Sequence, residues 1–202
     1  VSEPDGGIYA AMNKGAARAN GDYLLFLNAG DSILPDVLEQ TFGSPHGAEL
    51  MYGDSIRVSQ SQEWFVPSVP PGKLAPGFFL RSTLPHQATF VSKRLHEALG
   101  GYDESFRIAG DMDFFLRAFI EAKPTVEKLP FAICRFDMSG ISTSDAFREE
   151  SLRERARLLT PFFGPDAAHE AVYPKGICSF IPQVVLDAAR NDPALASYLF
   201  HS

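Results

Sequence analysis

The stretch Tyr23-Leu-Leu-Phe-Leu-Asn-Ala-Gly-Asp31 decides how this chain is read. Its apolar run has no polar alternation, which predicts a strand over Asp22 to Leu27 buried on both faces. The strand stops on an amide, two small residues and a carboxylate. Just upstream, Ile8, Ala11, Met12, Gly15, Ala16 and Ala19 recur at helical spacing, and Asn20-Gly21 supplies the stop. A helix feeding a buried strand predicts an α/β fold, with helices packed over a parallel sheet.

The same rhythm continues outward. Pro35 opens a short helix through Leu38 and Phe42, and Glu49 to Asp54 is a second strand ending on a carboxylate. Ile56 to Ser59 and Glu63 to Val66 alternate as a hairpin or a sheet edge, and the Pro- and Gly-rich segment Val66 to Gly77 predicts a mobile surface loop. Gln87 to Ser92 predicts a strand, Lys93 to Leu99 a helix, Asp111 to Ala122 another helix, and Val126 to Phe136 the last strand. Past Ser144 the composition shifts to a charged helix, Phe147 to Leu159, then a tail with helices near Pro182 to Ala189 and Leu195. Residues 1–143 are therefore expected to form one α/β domain and 144–202 a helical extension packed on it.

With 45% hydrophobic residues among 202, the chain has material for a substantial core. Its 18 Lys and Arg against 25 Asp and Glu argue against nucleic acid as a partner, since that binding neutralises phosphates with basic side chains. Cys134 and Cys178 form no zinc pattern and no disulfide framework, which points to a reducing, cytoplasmic setting. No apolar run is long enough for a transmembrane segment.

Asp31 and Asp54 close apolar strands, and Asp111 opens a helix after Ile108-Ala-Gly110. In open α/β sheets ligands bind beyond the carboxyl ends of the strands. Acids converging there either repel or share a cation, and Mg²⁺ takes one or two carboxylates with phosphate oxygens completing its shell. Each Asp taken singly reads equally well as a cap for backbone N–H groups; the three together favour chemistry.

Several stretches carry a resemblance in the same order. They are Ser2 to Gly15, Ala19 to Asp31, Met51-Tyr-Gly-Asp54, Pro85-His-Gln-Ala-Thr-Phe90, Gly101 to Phe106, Ile108 to Arg117 and Gly140-Ile-Ser142. Over about residues 2 to 143 the chain resembles the middle of a family 2 glycosyltransferase. That resemblance implies a GT-A-like, Rossmann-like α/β fold with a mixed, mostly parallel sheet flanked by helices. It further implies transfer of a sugar from a nucleotide-diphosphate donor to a hydroxyl acceptor, with inversion and a divalent cation, Mn²⁺ or Mg²⁺. It also implies a nucleoside-binding βαβ unit that has no counterpart ahead of Val1, so the chain is expected to be an N-terminally truncated domain. The implied setting is polysaccharide or glycoconjugate synthesis in the cytoplasm or at the inner face of the membrane, with a glycan or lipid-linked acceptor.

The resemblance also assigns roles. The Asp-x-Asp positions of such enzymes fall on Asn28 and Gly30, leaving Asp31 as the acid for the metal, with Asn28 and Gly30 on the donor side. Asp111 falls where the catalytic base stands, although the acid usual just before it is Gly110. Asp113 reads as a solvent-facing or N-terminal helix charge. Asp5, Gly7 and Asn13 fall in the region that approaches the donor, with capping or local turn support as the plainer readings. Asp54, His86 and Gln87 fall on the acceptor side, and Tyr9 lies off the apolar face of its helix. The competing class is a non-catalytic binding or assembly fragment of such an enzyme. A metal-dependent phosphotransferase or hydrolase lacks its nucleophile Asp and its Gly-rich loop here.

Overall fold

The computed structural model describes residues 4–45, 47–59, 62–140 and 145–173. The expected junction near 143, the tail helices and Cys178 lie outside them. Helix α1 (Ile8–Arg18) leads into β1 (Tyr23–Leu24), then β2 (Ser32–Ile33) and α2 (Val37–Phe42). The hairpin β3 (Leu50–Val58) and β4 (Glu63–Val66) follows. Then come β5 (Thr89–Ser92), α3 (Lys93–Ala98), α4 (Gly110–Arg117), β6 (Val126–Asp137), α5 (Arg148–Phe163) and α6 (Pro165–Val172). The sheet order is β1-β5-β3-β6-β2, with β4 on the outer stretch of β3.

The sheet is mixed, as expected, but the direction of pairing needs correcting. Among the described residues only β3 and β6 pair in parallel; β1–β5, β3–β5, β2–β6 and β3–β4 are antiparallel. β3–β4 is a direct hairpin, whereas β1–β5 and β2–β6 join strands far apart in the chain, so strand direction follows long-range pairing rather than the local helix–strand order. The founding strand also differs. Tyr23 and Leu24 alone pair in the sheet, and Leu27 is 40% exposed, so the run is not buried on both faces. Likewise β3 does not end at Asp54 but continues to Val58, with the register slipping around Asp54.

The segment after β4 is no free loop. Its 3₁₀ turns, Pro71–Lys73 and Pro76–Leu80, drive Leu74, Phe78, Phe79 and Leu80 into the main core. There they meet Phe114, Phe115 and Leu116 of α4, and Leu158, Leu159, Ala167 and Ala168 of α5 and α6. Each fully buried aromatic or leucine of this set contributes roughly 1.5–3 kcal/mol relative to exposure, which favours a pinned segment over the solvated one its Pro and Gly content predicts.

Helix α4 starts at Gly110 and passes into a π-helical turn at Ala118–Ala122, ended by Lys123 at φ 50. Asp113 is buried rather than solvent-facing. Its carboxylate pairs with Arg117 at 2.8 Å, and Arg117 donates on to the carbonyls of Leu99 and Gly101. Burial pushes the Asp113 carboxyl up, with Arg117 opposing. Tyr9 is buried too, against its predicted place off the packed face, because its hydroxyl donates to the Ile108 carbonyl at 2.6 Å.

Candidate active site

A cleft of about 1210 Å³ opens where α1 and the β1 run meet the turns before β5 and α4. The helical repeat of Ile8, Ala11, Met12, Gly15, Ala16 and Ala19 lines it, so much of that apolar stripe borders open space rather than core. Asn28, Asp31, His86, Gln87 and Asp111 line the same cleft, so residues 83 positions apart in the chain share one space.

Asp31 sits in a tight turn closed by its own N–H donating to the Asn28 carbonyl at 3.0 Å. One carboxylate oxygen accepts the Asn28 N–H at 3.1 Å, and the other accepts the Asp137 N–H at 2.9 Å. The Asp137 side chain reaches back over Gly30, where an added Cβ would lie 2.5 Å from its carboxylate oxygen. Gly30, at φ 95, is thus required by both backbone and space. Asp137 borders the cleft and was not found from sequence; nothing local marks the last residue of a strand as the neighbour of a turn 106 residues earlier. Its carboxyl is held below its ordinary value, chiefly by hydrogen bonds from Ser139.

On the other side, Asp111 stands in the first turn of α4, half-buried. One oxygen accepts the Met112 N–H at 2.8 Å and the other lies 3.2 Å from His86 Nδ1. His86 rides a short 3₁₀ turn, His86–Ala88, closed by the Thr89 hydroxyl donating to the Pro85 carbonyl at 2.8 Å. Its other ring nitrogen, Nε2, meets the Asn28 side-chain amide at 3.2 Å. Contacts therefore run without a break from Asp31 through Asn28 and His86 to Asp111.

Two supports hold the Asp111 side from afar. Glu154 of α5 accepts the backbone N–H groups of Arg107, Ile108 and Ala109 at 2.7–2.8 Å, fixing the chain that enters α4. The Tyr9 ring packs against Gly110, where an added Cβ would come within 2.6 Å of it. Burial first, and the Asp111 charge second, keep the Tyr9 and Tyr102 hydroxyls well above their ordinary range. Glu154 was also missed, being one acid among many in a charged helix. Arg57, Arg81, Arg107 and Arg155 line the cleft as well, from four separate elements.

The remaining predicted residues fall outside the cleft lining. Asp54 accepts the Ser68 N–H and hydroxyl at 2.8 and 2.9 Å, with Lys128 at 3.4 Å. Burial works to raise its carboxyl, but these partners outweigh it and the net shift is downward. Asn13 holds Tyr102 at both its N–H and its carbonyl, and donates to Glu104. Asp5 pairs with Lys14 at 2.8 Å on the surface, and Gly7, at φ 145, starts α1.

Among the described residues no group of three or more His, Cys, Asp and Glu converges as a cation site. Asp31, with a second lone pair on each oxygen, and Asp137 beside Gly30 offer two carboxylates, the number Mg²⁺ takes when phosphate oxygens complete its shell.

Residues 1–67 match the family described as Glycosyl transferase family 2. An uncharacterized glycosyltransferase of Mycobacterium tuberculosis (strain H37Rv) is 36% identical over 148 residues, covering 70% of this chain and 55% of that protein. A PGL/p-HBAD biosynthesis glycosyltransferase of Mycobacterium bovis (strain BCG) is 33% identical over 127 residues, covering 58% of this chain and 45% of that one. The chain thus spans about half the length of the curated relatives it matches. Among solved structures, S. aureus TarS 1-349 in complex with UDP-GlcNAc superposes with a TM-score of 0.56 at 13% identity, over 100% of this chain and 58% of that one. At that identity the likeness is one of fold.

Proposed function

We propose, from the premise that this chain belongs to glycosyl transferase family 2, that its cleft transfers a sugar from a nucleotide-diphosphate donor to an acceptor hydroxyl, with Asp111 as the base. The observation that carries this is the shared cleft. Asp31 and Asp111 border one space, joined along its floor by Asn28 and His86.

In the proposed step the acceptor oxygen attacks the anomeric carbon from the face opposite the diphosphate, and the configuration inverts. The new carbon–oxygen bond forms as the bond to the diphosphate breaks, with its electron pair leaving on phosphate. The acceptor's proton passes to Asp111, which keeps a free lone pair beyond its contacts to Met112 and His86. Asp31 and Asp137 would hold the divalent cation; when bound, it supplies positive charge against the leaving diphosphate. Guanidinium groups lining the cleft offer further positive charge to phosphate.

The donor side is assigned to Asn28 and the acceptor side to Gln87 with the turn that carries His86. We place the protein in glycan or glycoconjugate synthesis with a glycan or lipid-linked acceptor, at the cytoplasmic face of the membrane. Among the described residues no helix is long and apolar enough to cross a membrane. Residues 1–143 serve as the sugar-transfer domain and 144–202 as an extension whose Glu154 holds the loop before the base. The amide at position 28, in place of an acid, favours as a second reading a binding or assembly segment without its own turnover.

The test is donor turnover by the full-length protein, wild type against Asp111→Asn. Loss of about a hundredfold or more in kcat, with the fold intact by circular dichroism, is expected for removing a general base. Equal turnover in the two would remove Asp111 from the reaction. No turnover in either, with nucleotide-sugar still bound, would favour the second reading.

A further inference from the structure

The two ring nitrogens of His86 face chemically different groups. Nδ1 lies 3.2 Å from an Asp111 carboxylate oxygen and Nε2 lies 3.2 Å from the Asn28 amide nitrogen. An amide nitrogen can only donate, so Nε2 must accept. An imidazole that accepts at Nε2 carries its hydrogen on Nδ1, pointed at Asp111. His86 is buried and its turn is closed by Thr89, so the ring is held on both its edges and from behind. Neither nitrogen has a free direction left toward an acceptor sugar.

We propose that Asn28 and His86 form a positioning pair for Asp111, in which the Asn28 amide fixes the Nδ1–H tautomer of His86 and His86 in turn holds the Asp111 carboxylate oxygen by a single donated hydrogen bond. The inference rests on Asp111 being the base, and it moves His86 from the acceptor side to the support of that base. It also gives the amide at position 28 a reason. A carboxylate there accepts only, so the ring would have to carry hydrogen on Nε2 as well, and Asp111 would face a differently charged partner. A neutral, donating imidazole leaves Asp111 negative and oriented, the state in which it can take the acceptor's proton. His86 itself exchanges no proton in the reaction.

The test is side-chain ¹⁵N spectroscopy of His86 in the full-length protein, with kinetics of the same variants. In the wild type the signals should show a protonated Nδ1 and a bare, hydrogen-bond-accepting Nε2. In Asn28→Asp the Nε2 signal should move to the N–H range. His86→Leu should lower kcat about tenfold, the scale on which partners that orient a reactive group act, with the donor KM unchanged. His86→Asn, whose amide nitrogen can replace Nδ1, should recover much of that loss. A wild-type ring carrying hydrogen on Nε2 and not on Nδ1 would overturn the proposal, as would an unchanged kcat in His86→Leu. The tautomer readout needs no turnover. Failure of Asp111→Asn to slow transfer with the tautomer as expected therefore sinks the reading of the base, while the opposite pattern sinks only the positioning pair.

Discussion

Asp31 and Asp111 border one cleft but are held in opposite styles. Asp31 is a creature of its own turn, with its N–H bonded to Asn28 and one oxygen accepting from Asn28 in return; only Asp137 comes from far away. Asp111 spends one oxygen on the next residue, and everything else that places it is distant: His86 beside it, Tyr9 against Gly110, and Glu154 under the loop before it. A carboxylate held at each oxygen by a main-chain N–H is a rigid anchor that keeps a second lone pair per oxygen for a ligand. One that faces an imidazole and open space is kept reactive. Two of the three positions where the expected acids are missing follow the same logic, since Asp137 fills the space above Gly30 and the Tyr9 ring fills the space above Gly110.

The contrast can be broken first at Glu154. In Glu154→Ala three backbone N–H groups lose their acceptor, so unfolding in urea should show a loss of about 3 kcal/mol. Turnover should fall even where the protein remains folded, and an unchanged kcat would mean that the distant support does not matter to the base. Gly110→Ala presses a methyl into the Tyr9 ring, and overpacking of this kind destabilises by about 1–3 kcal/mol. Thermal unfolding of that variant against Tyr9→Leu/Gly110→Ala should show partial relief in the double variant.

On the other side, Asp31→Ala removes an acceptor from two N–H groups and should lose about 1–2 kcal/mol. Calorimetric titration with Mn²⁺ and a nucleoside diphosphate should also weaken; unchanged cation binding would take Asp31 out of the cation site. The smallest effect belongs to Asp54, outside the cleft. Its carboxyl lies below the unfolded-chain value, so its contribution is present above that value and fades as pH falls through the folded one, a window below roughly 4. Asp54→Asn should narrow its stability gap to wild type as pH drops through that window, with no change in transfer.

How much was legible follows the same division. The α1 repeat, the β3–β4 hairpin and α3 were readable, because each depends on residues within a few positions of one another. The direction of strand pairing, the burial of Phe78 and Phe79, and the depth of Asp113 were not, because distant partners decide them. Among site residues the same held: Asn28, Asp31, His86, Gln87 and Asp111 could be nominated, whereas Asp137 and Glu154 carry no local mark.

By itself, then, the sequence determined that this chain builds helices packed over a sheet, with acids at its strand and helix ends, since spacing and turn chemistry act over a single turn of chain. Only the tertiary structure decided which acids meet. It turned Asp54 toward Ser68 and Lys128, seated Asn13 on the Tyr102 loop, and brought Asn28, His86 and Asp111 into one line of contacts. The reason is physical: a side chain's partners across 58 or 25 residues are set by how the core closes, and no local pattern carries that information.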